Sequence, residues 1–271
     1  MIVCYAQGGG LGHLTRIRAY LHTVHAGEPA TLLTTSPFAA DPRVLGPHRL
    51  LHGDPATVLH ELKPSLLVVD AFPGGLTGEL TAGSVPPGTN TVHLARLLRW
   101  DAYRPLLPQT PIRFDRTWLL EDLEPAHRAH LTGETAPLTL TDPPAPALPD
   151  LAPDSWLVLH SGPASEIHEL LSYARECAEA ERLQPRLVLA APVRPADLPA
   201  DVEHVDPYPA WPLFFSAARI VTAAGFNAVR QTARWRSKHL MLPFPRRWDD
   251  QFTRAARARV TGRRSPGGEV G

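Results

Sequence analysis

Two cysteines, Cys4 and Cys177, are all that the sequence offers for covalent cross-linking. No disulfide framework holds this chain together, and a reducing compartment fits best. Lysine is equally scarce: it occurs only at Lys63 and Lys238, and arginine carries the remaining basic charge. That bias reads as codon composition and is given no functional weight. Neither sign is in excess, since 27 basic and 27 acidic residues leave a formal net charge of zero. A nucleic-acid binder driven by counterion release needs a basic surplus, so no nucleic-acid partner is expected. No apolar run approaches the roughly 20 residues that span a bilayer, and Met1–Ala6 lacks the basic leader of a signal peptide. These absences point to a cytoplasmic protein with no transmembrane segment. Global disorder is excluded as well, because 44% of the 271 residues are hydrophobic. That length suits two compact domains.

Short apolar runs alternate with amphipathic stretches, the pattern of βαβ units around parallel sheets. In the first half, strands are expected at Ile2–Ala6, Thr31–Thr35, Ser65–Asp70, Thr91–Leu94 and Arg116–Leu120. Helices are expected over His13–His25, with Leu14, Ile17, Leu21 and Val24 on one face, and over Ala56–Leu62. From Gly133 to Asp154 the texture changes. Pro137, Pro143, Pro144, Pro146, Pro149 and Pro153 exclude a long helix or a central strand. Residues 136–154 therefore read as a semi-rigid linker between a domain over 1–135 and another over 155–271. In the second half, strands are expected at Trp156–His160, Arg186–Ala190, Arg219–Thr222 and His239–Leu242. Helices are expected at Ala164–Arg182, Pro209–Ala217, from Gly225 to near Trp235, and at Asp249–Arg259. The tail from Thr261, rich in Gly, Pro and Arg, is expected to fray.

Ligands of open α/β folds bind at the carboxyl ends of the strands, and three constellations fall there. Gly8-Gly9-Gly10-Leu11-Gly12-His13 joins the first strand to the first helix. Glycines let the backbone approach a ligand and aim N–H groups at an anion. The run is not a P-loop, since no Gly-Lys-Ser/Thr follows, and His13 stands where the dinucleotide fingerprint needs its last glycine. A histidine at a helix start is kept neutral by the dipole and can accept a proton, although a plain loop terminus explains it too. The second, Ala223 to Gln231, places Gly225, Asn227 and Gln231 at another strand-to-helix turn; an ordinary connection with an Asn cap is the alternative. The third, Pro243 to Gln251, puts Asp249, Asp250 and Gln251 at a helix start, where Asp249 serves equally well as an N-cap. Ser161-Gly162 and Asp70 end further strands, and a turn or cap accounts for both. The thirteen histidines show no metal-ligand spacing, and no Gly-x-Ser-x-Gly elbow is present.

Taken together these motifs resemble the GT-B glycosyltransferases, whose fold is α/β, two Rossmann-like domains facing a central cleft. Gly10-Leu11-Gly12-His13 is similar to the glycine loop and histidine of the bacterial peptidoglycan N-acetylglucosaminyltransferase and of UDP-glucuronosyltransferases. Ala224-Gly225-Phe226-Asn227-Ala228-Val229-Arg230-Gln231, then Lys238 to Phe244 and Asp250-Gln251, resemble their donor-binding signature. Gly12-His13-Leu14-Thr15-Arg16 is similar to the Gly-His-x-x-Arg of the UDP-sugar hydrolase in pseudaminic acid synthesis. Two positions depart from the pattern. Gln231 stands where the transferases carry a Glu on the donor ribose, losing charge-assisted strength. Phe226 narrows the space for a diphosphate.

The resemblance implies a glycosyltransferase acting on a nucleoside diphosphate sugar, a UDP-sugar first of all, with no cofactor and no metal. It gives His13 the role of general base and Asp70 that of its orienter. Gly10, Gly12, Ser161, Gly162, Gly225 and Asn227 would face the donor, Gln231 its ribose, and Asp250 and Gln251 its sugar hydroxyls. A nucleotide-sugar hydrolase and a catalytically weak nucleotide-sugar binding protein are the alternatives. Sugar, acceptor and oligomeric state are not legible.

Overall fold

Uninterrupted apolar runs such as Ile2-Val3-Cys4-Tyr5 and Leu66-Leu67-Val68-Val69 suit strands covered on both faces, as parallel sheets require. In the computed structural model, which describes residues 1–263, every named strand pairing is parallel. The chain forms two units: Met1–Pro144 with Arg247–Asp249, and Ala145–Arg246 with the residues from Asp250 onward.

The first unit runs β1 (Ile2–Tyr5), α1 (Leu11–His25), β2 (Thr31–Leu33), α2 (Pro42–Leu45), β3 (Arg49–Leu51), α3 (Pro55–Leu62), β4 (Leu66–Asp70), β5 (Asn90–Ala95), α4 (Trp100–Tyr103), β6 (Arg116–Leu119), α5 (Pro125–Arg128) and β7 (Glu134–Pro137). Its seven-stranded sheet has the order β3-β2-β1-β4-β5-β6-β7. Asp54 caps α3 by accepting from the Thr57 amide, with Pro55 at the first helical position, and Lys63 ends it at φ +44°. Leu14, Ile17 and Leu21 of α1 are buried as expected, but Val24 is exposed, and the rest of the buried surface comes from Arg16, Ala19 and Tyr20. One sheet face packs Val3, Tyr5, Leu33, Leu67 and Val69 with Ile112 and Phe114.

The second unit runs β8 (Ser155–Leu159), α6 (Ala164–Ala180), β9 (Arg186–Ala190), β10 (Val202–Val205), β11 (Arg219–Ala223), α7 (Phe226–Gln231), β12 (His239–Leu242) and α8 (Gln251–Arg263), in a sheet of order β10-β9-β8-β11-β12. Alternation along β8 divides its side chains. Trp156 and Val158 join Ile167, Leu170, Leu171, Ala174 and Ala178 of α6, which recur at helical spacing. Leu157 joins Leu213 and Phe214 of the 3-10 turn Trp211–Phe214 on the other face. Each Val, Leu, Ile or Phe among them contributes about 1.5–3 kcal/mol when fully buried.

Several expectations change. The proline-rich stretch begins with a strand, since β7 ends at Pro137 on the sheet edge, where a missing N–H costs nothing. The helix expected from Pro209 to Ala217 is the 3-10 turn alone, and α7 stops at Gln231, before a second 3-10 segment over Ala233–Lys238. Helix α8 starts at Gln251 rather than Asp249 and runs to Arg263; of the tail expected to fray from Thr261, the part from residue 264 lies outside the described residues. Among the described residues no helix is long and apolar enough to cross a membrane.

Candidate active site

Both sheets reverse their strand order beside the first strand: β1 lies between β2 and β4, and β8 between β9 and β11. The carboxyl ends of such a pair form the crevice in which open α/β sheets bind ligands. In the first unit that point is flanked by the loop after β1 and the end of β4. Gly8 has φ +142°, and a Cβ there would lie 2.6 Å from Nε2 of His13, so only glycine lets the loop lie against the imidazole. Gly10 is the N-cap of α1, which places Gly12 and His13 in its first turn.

Nδ1 of His13 is 2.6 Å from Oδ2 of Asp70, a carboxylate with no exposure at the end of β4. Arg16, one turn along α1, donates from Nε to Oδ1 (2.5 Å) and from Nη2 to Oδ2 (2.6 Å). The Phe72 ring packs 5.6 Å from the imidazole, centroid to centroid, and is itself flanked by Arg96 and Trp248. Burial is the main influence on His13 and lowers its pKa; the Asp70 hydrogen bond opposes it, and Arg16 and Arg96 reinforce it. The imidazole is therefore neutral at pH 7. Burial pushes the Asp70 carboxyl upward, but the Arg16 charge and the His13 hydrogen bond outweigh it and hold the group well below the usual carboxylate range.

In the second unit the turn Ser161-Gly162 follows β8 and leads into α6. His160 at its start has Nε2 2.8 Å from Oε2 of Glu166, and Arg246 donates to both oxygens of Glu166 at 2.6 and 2.5 Å. A Cβ at Gly162 would lie 2.4 Å from Nε2 of His160, so a side chain there would have to displace that ring. Gly225 is the N-cap of α7, with Asn227 and Gln231 one helical turn apart behind it. Asp250 caps α8, its Oδ1 accepting from the Thr253 amide at 3.0 Å. Gln251 is buried, and its Oε1 accepts from the Phe244 amide at 3.0 Å. Arg254 donates to the Ala224 carbonyl at 3.0 Å, tying α8 to the turn after β11.

No family model matches the chain, and no curated protein sequence matches it. Solved structures do. The kitacinnamycin glycotransferase aligns with a TM-score of 0.56 at 14% identity, over 96% of this chain and 84% of that one. The spinosyn forosaminyltransferase SpnP gives 0.59 at 12%, over 96% and 83%. The spinosyn rhamnosyltransferase SpnG complexed with thymidine diphosphate gives 0.56 at 14%, over 96% and 84%. The fold is GT-B.

Within each GT-B unit the expected residues gather at the predicted strand ends. Gly10, Gly12, His13 and Asp70 share the switch point of the first sheet. Ser161 and Gly162 follow β8, Gly225 and Asn227 follow β11, and Asp250 and Gln251 follow β12, three adjacent strands of the second sheet. Gln231 stands a turn further, at the end of α7. Asp249 is not a cap: Asp250 takes that place, and Asp249 pairs with Arg96 and bridges Leu98 within the first unit. Sequence reading did not single out Arg16 as more than a motif letter, nor Glu166, Arg246 or Arg96. For Arg16 a signal existed, because residues three apart on a helix share a face with His13.

Proposed function

We propose that this chain is a cytoplasmic glycosyltransferase that moves a sugar from a nucleoside diphosphate donor to a hydroxyl acceptor without a metal ion. His13 is the general base and Asp70 orients its ring. The observation that carries the reading is the neutral imidazole in the first turn of α1, behind the glycine loop at the switch point of a GT-B sheet, with a buried carboxylate on Nδ1. In the reaction the bond from the anomeric carbon to the diphosphate breaks, the bond to the acceptor oxygen forms, and the acceptor proton passes to Nε2 of His13. Positioned proton transfer of this kind supplies roughly 10²–10⁴-fold. The donor lies against the second unit, with Ser161, Gly162, Gly225 and Asn227 at its diphosphate, Gln231 at the ribose and Asp250 at the sugar hydroxyls. Gln251 braces the loop behind Asp250, and Gly10 and Gly12 leave room near the base.

A UDP-sugar is the first donor to try, and the thymidine diphosphate complexed with SpnG adds that nucleotide to the panel. Nucleotide at about 100 times Kd stabilises by about 2.7 kcal/mol, visible as a raised Tm. A cooperative melt unmoved by UDP, GDP, dTDP and their sugar conjugates would remove the donor assignments. With a donor in hand, His13→Ala should lower turnover by roughly 10²–10⁴-fold, and unchanged turnover would remove the base. In the hydrolase alternative water is the nucleophile, activated by the same Nε2 of His13. Free sugar released with no acceptor present would select it.

A further inference from the structure

We propose that Arg16 is a positioning residue for His13: it clamps both oxygens of Asp70 so that one of them meets Nδ1 and leaves the lone pair on Nε2. The inference rests on His13 being the base proposed above. A carboxylate at a strand end can rotate, and a single hydrogen bond to an imidazole does not fix its plane. The planar fork of Arg16 does, with Nε on Oδ1 at 2.5 Å and Nη2 on Oδ2 at 2.6 Å, all three groups buried or nearly so. Oδ2 then stands 2.6 Å from Nδ1 of His13. An ionised carboxylate only accepts, so Nδ1 carries the proton and the basic nitrogen is Nε2, the one that lies against Gly8.

The same fork changes what Asp70 does electrostatically. A carboxylate alone beside an imidazole raises its basicity. Here the guanidinium offsets part of that charge, and its Nη2, 3.2 Å from Nδ1, faces the protonated nitrogen as a second donor. The charged groups facing His13 are Asp70 from β4, Arg16 from its own helix and Arg96 after β5, with Phe72 as an apolar wall. Burial disfavours the imidazolium most, the hydrogen bond and charge of Asp70 oppose it, and the two cations reinforce it. What Arg16 adds to Asp70 is orientation and tautomer, and the base stays unprotonated below the usual histidine range. Lysine, a point charge without a fork, reproduces the charge and not the geometry.

The test is nitrogen-15 NMR of the imidazoles in the full chain, for the wild type, Arg16→Lys and Arg16→Gln. The wild type should show His13 as the Nδ1–H tautomer, with a midpoint below the ordinary histidine value. Arg16→Gln should mix the tautomers and raise the titration midpoint, moving the acid limb of kcat/KM with it. Arg16→Lys should mix the tautomers while the midpoint stays low. A wild-type Nε2–H tautomer, or a wild-type midpoint at or above the ordinary value, overturns the proposal, and that measurement stands even if a variant fails to fold. So does Arg16→Gln with an unchanged tautomer and midpoint. Because the spectrum needs no substrate, absence of turnover with every donor sinks the catalytic reading while the role of Arg16 is still decided.

Discussion

Acid should unfold the first unit before the second, and histidines set the order. Burial holds His48 and His93 down to about 4 and His127 down to about 3 in the first unit, and His239 down to about 3 in the second. Each is neutral in the fold and titrates from 6.5 once unfolded, so the unfolded chain binds more protons. Their stabilisation is present above about pH 6.5 and is lost as the pH falls toward the folded values. Between about pH 7.5 and about pH 5 each such histidine costs about 2 kcal/mol. That is about 6 kcal/mol for the first unit against about 2 kcal/mol for the second, on a total stability of about 5–15 kcal/mol for a domain. His13 and His25 add to the first unit and His160 to the second with the same sign. The depressed carboxylates act only at lower pH. His127 is the sharpest single probe: it is fully buried, neither ring nitrogen has a hydrogen-bond partner among the described residues, and the ring stacks on Trp100 at 4.2 Å and 6°. His127→Phe keeps the stack and removes the proton. Hydrogen exchange followed by mass spectrometry, peptide by peptide from about pH 7.5 to about pH 5, should show β1, β4 and β5 losing protection before β8, β9 and β11. In His127→Phe the first unit should survive to lower pH, gaining about 2 kcal/mol at about pH 5 relative to the wild type. Simultaneous loss of protection in both units, or an unmoved midpoint in His127→Phe, would refute this account.

Gly8→Ala drives a methyl into the His13 ring and demands a positive φ of alanine; turnover should fall on the order of 10²-fold while nucleotide-induced shifts in Tm persist, and wild-type turnover would contradict the geometry. Asp249→Asn weakens the pair with Arg96, and denaturant titration should show a loss of about 3 kcal/mol in the first unit, the scale of breaking a buried ion pair. Glu166→Gln removes the charge that Arg246 grips with two hydrogen bonds, so the second unit should lose about 1–3 kcal/mol; the same midpoint in calorimetry would mean that the pair is only a surface contact.

The central strands were readable because their physics is local. Runs such as Leu66–Val69 and Trp156–Leu159 are apolar without a break, as strands covered on both faces must be. The edges were not. β3, β7 and β10 are three or four residues long, partly exposed and mixed in polarity, and β7 ends in a proline, so each reads as loop until a neighbouring strand supplies its hydrogen bonds. At the site, the glycine loops and the terminal Asp70 were visible as residue types at strand ends. The Arg16 clamp was not, because it depends on which face of α1 lies over β4, fifty-four positions away in sequence. From sequence it is Asp249 that reads as the cap of the last helix. Only the fold shows that it turns to Arg96 and that Asp250 takes the Thr253 amide.

The short segment Arg247–Asp249 has a practical consequence for anyone dissecting the molecule. Chain on either side of it belongs to the second unit, while the segment itself completes the first. It supplies the Trp248 carbonyl to the Arg99 amide at 2.8 Å, the Trp248 ring to Phe72 and Tyr103, and the Asp249 carboxylate to Arg96. A protein cut at the proline stretch is thus not two domains but one deprived half and one with a stray tripeptide. Expressed alone, residues 1–144 would present an uncovered aromatic patch and a buried arginine stripped of its carboxylate.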